Sequence, residues 1–100
     1  ADTRETPSKP LIDALLKEGA HVVVHDPYVK KEIIKAMGAE PVTLKEALGC
    51  DCTVLMTDHD EYRRIEPNMI QGKVFICARP ILQPEKFKRK GIIFRGVGRP

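Results

Sequence analysis

Three short polar segments follow apolar runs directly, and they carry the residue types that do chemistry. They are His25-Asp26-Pro27-Tyr28, Thr57-Asp58-His59-Asp60 and Ala78-Arg79-Pro80. Arg79 is the most informative. A guanidinium offers a planar fork of donors that grips a phosphate or a base edge in a way Lys cannot copy. Its competing use is a surface ion pair with Asp58 or Asp60. Asp58, His59 and Asp60 have the types used in general acid–base work or metal binding. Two acids and a His in one turn also serve as the cap of a following helix, and that is the reading adopted. His21 and His25, four apart, fall on one face of a strand and read as packing. Cys50 and Cys52 flank Asp51 as C-x-C, but a zinc site needs two further ligands at suitable spacing. The thiols read instead as residues at the entrance to a strand, and no metal is expected.

Asp26 ends its strand where dinucleotide folds place a ribose-binding acid. That role needs a Gly-rich turn about 20 residues earlier, and none stands there. Gly96-Val97-Gly98 is a fragment of such a turn with no helix after it. The run Lys86-Phe87-Lys88-Arg89-Lys90 suits a helix C-terminus, where cations complement the macrodipole. The net charge of +3 over 100 residues is too mild for a nucleic-acid-binding face, so no nucleic-acid partner is expected. No apolar run spans a bilayer and no signal peptide is visible. Three cysteines cannot all pair, which fits a reducing cytoplasm.

Helices and strands alternate to position these segments. A helix over residues 8–18 is capped by Thr6 or Ser8 and stopped by Gly19, with Leu11, Ile12, Leu15 and Leu16 as its stripe. A β-rich run covers residues 21–25. Next comes a short helix with Ile33, Ile34 and Met37 inward and Gly38 as its stop. Residues 40–42 make a short edge strand, and Thr43-Leu44-Lys45-Glu46 is a capping box. Residues 52–57 form an apolar strand suited to burial on both faces. A helical turn interrupted at Pro67, a strand over residues 73–78, a helix over 84–90 and a strand over 92–97 complete the order. Such alternation implies one α/β domain of doubly wound, mostly parallel sheet with helices on both faces.

Five segments, taken together and in order, resemble the C-terminal domain of the UDP-glucose/GDP-mannose dehydrogenase family. They are Asp2-Thr3-Arg4-Glu5-Thr6-Pro7-Ser8, Val24-His25-Asp26-Pro27-Tyr28, Thr57-Asp58-His59-Asp60-Glu61-Tyr62, Phe75 through Leu82, and Phe94-Arg95-Gly96-Val97-Gly98-Arg99. The resemblance implies a Rossmann-like domain that binds the UDP part of a UDP-sugar. The family oxidises the sugar's C6 hydroxyl to a carboxylate with two NAD⁺. NAD is bound mainly by a separate domain of the same protein, which also supplies the catalytic Cys. By motif, Arg79 contacts the UDP-sugar and Arg4 reaches towards NAD. None of the three cysteines matches the catalytic motif, so this chain alone is expected to be inactive. A homo-oligomeric parent, with no membrane partner, is also implied. His59, where the family more often has Trp, resembles the branch acting on UDP-N-acetyl-mannosamine. Cys77-Ala78 departs from the family's Asp and small residue before the Arg.

A stand-alone regulatory module of receiver type is the alternative. It wants a Lys after a late strand, whereas Lys73 begins one. A sheet of order 3-2-1-4-5-6 puts its first strand at the centre, and that strand is expected upstream of Ala1. Residues 22–24 and 54–56 are then expected not to pair with each other.

Overall fold

A glycine in the left-handed region ends three of the four helices, and each glycine turns the chain into the next strand. The protein was examined as a computed structural model that describes residues 9–96. Helix α1 spans Lys9–Lys17, α2 Lys31–Ala36, α3 Leu44–Leu48 and α4 Pro84–Lys88. Strands β1 (Val23–Val24), β2 (Glu40–Pro41), β3 (Cys52–Leu55), β4 (Val74–Cys77) and β5 (Ile93–Gly96) alternate with them. After α2, Gly38 has φ of 88°. Its N–H donates to the Lys35 carbonyl at 3.0 Å, and the Ala39 N–H to the Ile34 carbonyl at 3.3 Å. This paired bonding satisfies the helix's last carbonyls and needs a residue free to take positive φ. Gly91 repeats it after α4 with φ of 82°, where Ile92 N–H reaches Phe87 and both side chains are buried. Gly19 ends α1 with the same bonds. The caps expected at Thr6 and Ser8 lie outside the described residues.

The chain divides after Ala47 into two compact units. In the first, β1 and β2 pair in parallel, Val23 with Glu40 and Val24 with Pro41. Ile12, Ile34, Met37 and Ala39 form its buried cluster, and Leu16, Val22, Val24, Val29 and Ile33 pack on it. The inward set expected of α2 is therefore the observed one. The expected capping box is formed too. Thr43 N–H and Oγ1 each donate to Glu46 Oε1 at 3.0 Å, and Glu46 N–H donates to Thr43 Oγ1 at 3.1 Å.

In the second unit β3, β4 and β5 form a parallel sheet with β4 in the middle. Thr53, Phe75 and Phe94 stand in register, as do Leu55, Cys77 and Gly96. Side chains two apart share a face, so Leu55, Phe75, Cys77 and Phe94 make one buried face. Phe87 of α4 lies against it, 5.7 Å from Phe75 and 5.1 Å from Phe94 between ring centroids. Phe75 and Phe94 stack at 5.4 Å. The strand over residues 52–57 is shorter than expected and is not buried on both faces: Cys52 is exposed, and only Leu55 is buried. Among the described strands it has a partner on one side alone. The described strands are all parallel and fall into two sheets, β1-β2 and β3-β4-β5, where the sequence implied one.

Two predictions follow from this packing. Phe75 is fully buried at the centre of the three rings, so Phe75→Ala should cost about 3–5 kcal/mol, read as a lowered urea midpoint. The Thr43 donors hold the Glu46 carboxyl below its ordinary value. A depressed folded value means the cap contributes above the unfolded pKa and is lost as pH falls through the folded one. The larger share comes from the Thr43 backbone N–H and the smaller from its hydroxyl, so Thr43→Val, which removes the hydroxyl alone, should move the Glu46 titration part of the way upward in a carboxyl NMR experiment; an unmoved curve would refute the hydroxyl's share.

Candidate functional site

In parallel sheets ligands bind beyond the C-terminal strand ends, so the polar segments that leave β3 and β4 are the place to look. Leu55 and Cys77 are register partners, which sets residues 56–59 and 78–80 side by side along one edge. The Ala78 N–H donates to the Leu55 carbonyl at 2.8 Å, carrying the β3–β4 bonding one step past the strand. Arg79 comes next. Its carbonyl accepts from the Ile81 N–H at 2.8 Å. This bond closes a three-residue turn centred on Pro80, whose ring favours the φ such a turn needs. The Arg79 residue itself is exposed. The segment that carries Arg79 is thus held by backbone bonds on both sides of it, at Ala78 and at Ile81.

Asp58 does not pair with Arg79. Its carboxylate accepts from Arg63 at 2.6 Å instead. Residues 60–64 form a 3₁₀ helix with His59 at its N-cap, and no side chain there makes a capping bond. The cap expected of Asp58, His59 and Asp60 is therefore replaced by backbone bonding from the Tyr62 N–H to the His59 carbonyl at 2.9 Å. The His59 ring leans on the buried Tyr62 ring, 5.2 Å between centroids. A salt-bridged acid and a ring-packed His are arranged to shape a turn more than to exchange protons.

The other predicted positions separate from this edge. Asp26 Oδ1 accepts from the Tyr28 N–H at 2.9 Å, and the Asp26 carbonyl from Val29 at 3.3 Å. Asp26 thus builds the turn that Pro27 begins. The strand there is only two residues long, so His21 and His25 do not share a ladder face; His21 is exposed and its Nε2 lies 3.3 Å from Glu40 Oε1. Although Cys52 as a residue is exposed, its surroundings desolvate the thiol and push its pKa up. A raised pKa is the reverse of what a metal-binding or nucleophilic thiol needs. Among the described residues no group of three or more His, Cys, Asp or Glu stands together as a metal would require. Lys73 precedes β4, at the opposite end of the sheet from Asp58, which removes the receiver-like arrangement. Arg4 lies outside the described residues. One contributor was not found from sequence: Arg63 as the partner of Asp58.

With this geometry in view, comparison with known proteins is specific. A family model described as the UDP-glucose/GDP-mannose dehydrogenase family, UDP binding domain, matches residues 1–84. A UDP-glucose 6-dehydrogenase of Pseudomonas aeruginosa is 30% identical over 99% of the chain and 25% of its own length. A UDP-N-acetyl-D-mannosamine dehydrogenase of Methanococcus maripaludis is 33% identical over 97% of the chain and 23% of its length. The crystal structure of an NDP-N-acetyl-D-galactosaminuronic acid dehydrogenase from Methanosarcina mazei superposes with a TM-score of 0.82 at 34% identity, over 98% of the chain and 22% of that protein. The chain therefore spans about a quarter of the length of the curated relatives it matches.

The Asp58–Arg63 pair sits at the surface, with the Arg63 side chain 52% exposed. Exposed pairs contribute about 1 kcal/mol or less. Arg63→Ala should lower the unfolding free energy by no more than that, as read from urea titration.

Proposed function

Since the chain belongs to the UDP-glucose/GDP-mannose dehydrogenase family, as its UDP binding domain, we propose that it holds the UDP moiety of a UDP-sugar and that Arg79 is the residue that grips it. One observation supports this choice above the others. Arg79 is an exposed arginine with no ion pair among the described residues, set on a hydrogen-bonded turn beyond the middle strand. Charge-assisted, bidentate bonds to a diphosphate are what that group does best.

The same reading places the chain in an NAD-dependent dehydrogenase that oxidises the sugar's C6 hydroxyl to a carboxylate, in the cytoplasm and as a homo-oligomer. We assign UDP-N-acetyl-mannosamine as the substrate. The wording around His59 supports that choice, as do several relatives named for that sugar, beside one named for UDP-glucose. The described residues do not fit NAD in the standard way. No Gly-rich turn stands about 20 residues before Asp26 in the sequence, and the Asp26 carboxylate accepts from the Tyr28 N–H. On this reading NAD belongs mainly to the NAD-binding domain of the same protein. The same reading assigns Arg4 a role in binding NAD and gives no residue of this chain a catalytic one.

Arg79→Ala should weaken UDP binding by about 1.5–3 kcal/mol, roughly ten- to 150-fold, and by more than Arg4→Ala does. Calorimetry with UDP decides it. Equal losses, or a wild-type protein that ignores UDP, would overturn the assignment. For the substrate, kcat/KM of the full-length protein should be higher with UDP-N-acetyl-mannosamine than with UDP-glucose.

A further inference from the structure

The three-stranded sheet has two faces, and the described residues bury only one of them. Leu55, Phe75, Cys77 and Phe94 are buried on the side where Phe87 of α4 packs. The residues that alternate with them point the other way. They stand in two register rows, Cys52 with Val74 and Ile93, and Val54 with Ile76 and Arg95. None of these six is buried. Cys52, Ile93 and Arg95 are exposed, Ile93 at 49%, while Val54, Val74 and Ile76 are half-buried. Four branched apolar side chains on one face make a contiguous surface of the kind that marks an interaction site. Parallel sheets occur almost only with both faces covered, and this sheet is parallel throughout.

We propose that this second face is a docking surface for an acid-flanked amphipathic helix from the part of the longer protein beyond this chain. Two observations choose that occupant. The chain spans only 25% and 23% of two relatives' lengths, so most of such a polypeptide is available to supply the cover. The other observation is charge. Arg95 lies on the face itself, exposed Lys73 directly precedes Val74, and exposed Lys90 lies just upstream of Ile93. The Lys73 carbonyl accepts from the Ile93 N–H at 2.8 Å, which brings the two strand starts together. Asp51, just before β3, is the one acid that directly adjoins these three strand starts. A second copy of the chain, docked face to face, would set these cations against their own like, and such pairing is unfavourable. A helix with an apolar stripe and Asp or Glu along its flank matches both the apolar rows and the cationic border. The inference rests on the reading of the chain as one domain of a longer dehydrogenase. It does not involve Arg79, which follows the far end of β4 from Val74 and Ile93.

The test uses the full-length protein. With the photo-crosslinker p-benzoylphenylalanine placed at position 93, irradiation should join that position to an apolar residue beyond this chain, on a helix that carries acids on its flank. Mass spectrometry of mixed isotopically light and heavy protein should show the link to lie within one copy. In the unmodified protein, whose folding no substitution disturbs, carbene footprinting should leave Val74, Ile76 and Ile93 unlabelled. Ile93→Asp and Arg95→Glu should each lower the thermal midpoint by several degrees, whereas Ile93→Val and Arg95→Lys should leave it in place. UDP binding by calorimetry should be the same in all four variants as in the wild type. Labelling of Val74, Ile76 and Ile93 at the level of open side chains would overturn the docking surface. So would links between copies, links to residues of this chain alone, or a midpoint that ignores both Ile93→Asp and Arg95→Glu. A wild-type protein that ignores UDP would remove the Arg79 assignment and leave the docking surface standing, so the two readings fail separately.

Discussion

The contact on which the second unit depends is the meeting of Phe75, Phe87 and Phe94 on one face of the three-stranded sheet. Phe75 and Phe94 are register partners on β4 and β5, and Phe87 brings α4 down over both. Aromatic side chains carry the largest apolar area per residue, and this protein has few of them. Concentrating three at one point sets which face of the middle strand is buried. Because strand side chains alternate, that choice also directs Cys77 inward and leaves the segment after it to emerge at the sheet's edge. The location of Arg79 is thus a consequence of where a phenylalanine packs two turns of the pleat earlier.

On the proposed reading, binding and stability fall to different parts of that edge. Asp58 is committed to Arg63, and His59 to the Tyr62 ring. Those contacts shape the exit from β3. Arg79 is left with its backbone held and its charge free of any ion pair among the described residues. A site that must accept a charged ligand gains from this division, because a guanidinium already paired with a carboxylate would have to break that pair first.

Much of this was legible in the residues. The glycine stops at Gly19, Gly38 and Gly91, the capping box at Thr43 and Glu46, and the inward set of α2 all follow local rules, and local rules are what a sequence displays most directly. The strand edge carrying Arg79 was also visible, since a polar turn after an apolar run marks it. What escaped notice depended on contacts between side chains that no pattern announces. The partner of Asp58 went unnoticed because it is Arg63, on the 3₁₀ helix that follows, where no pattern in the sequence marks the pairing. The cap expected at His59 failed because the chain chose a 3₁₀ turn closed by backbone bonds. The burial expected of β3 failed because apolar composition says that a strand prefers to be covered, without saying by what.

The parallel arrangement of β3, β4 and β5 has a consequence for how fast this unit forms. Register partners such as Cys52 with Val74, and Val74 with Ile93, are each about twenty residues apart along the chain, so neither ladder can start from a tight hairpin. Each closure must spend loop entropy before any ladder bond rewards it. On the β4-to-β5 crossover, α4 and its Gly91 stop lie between the partners. Forming that helix first shortens the span that has to be searched and aims Ile92 back at Phe87. The kinetic route to the sheet therefore runs through its crossovers, and the crossover that can organise itself locally is the one that brings two of the three aromatic rings together.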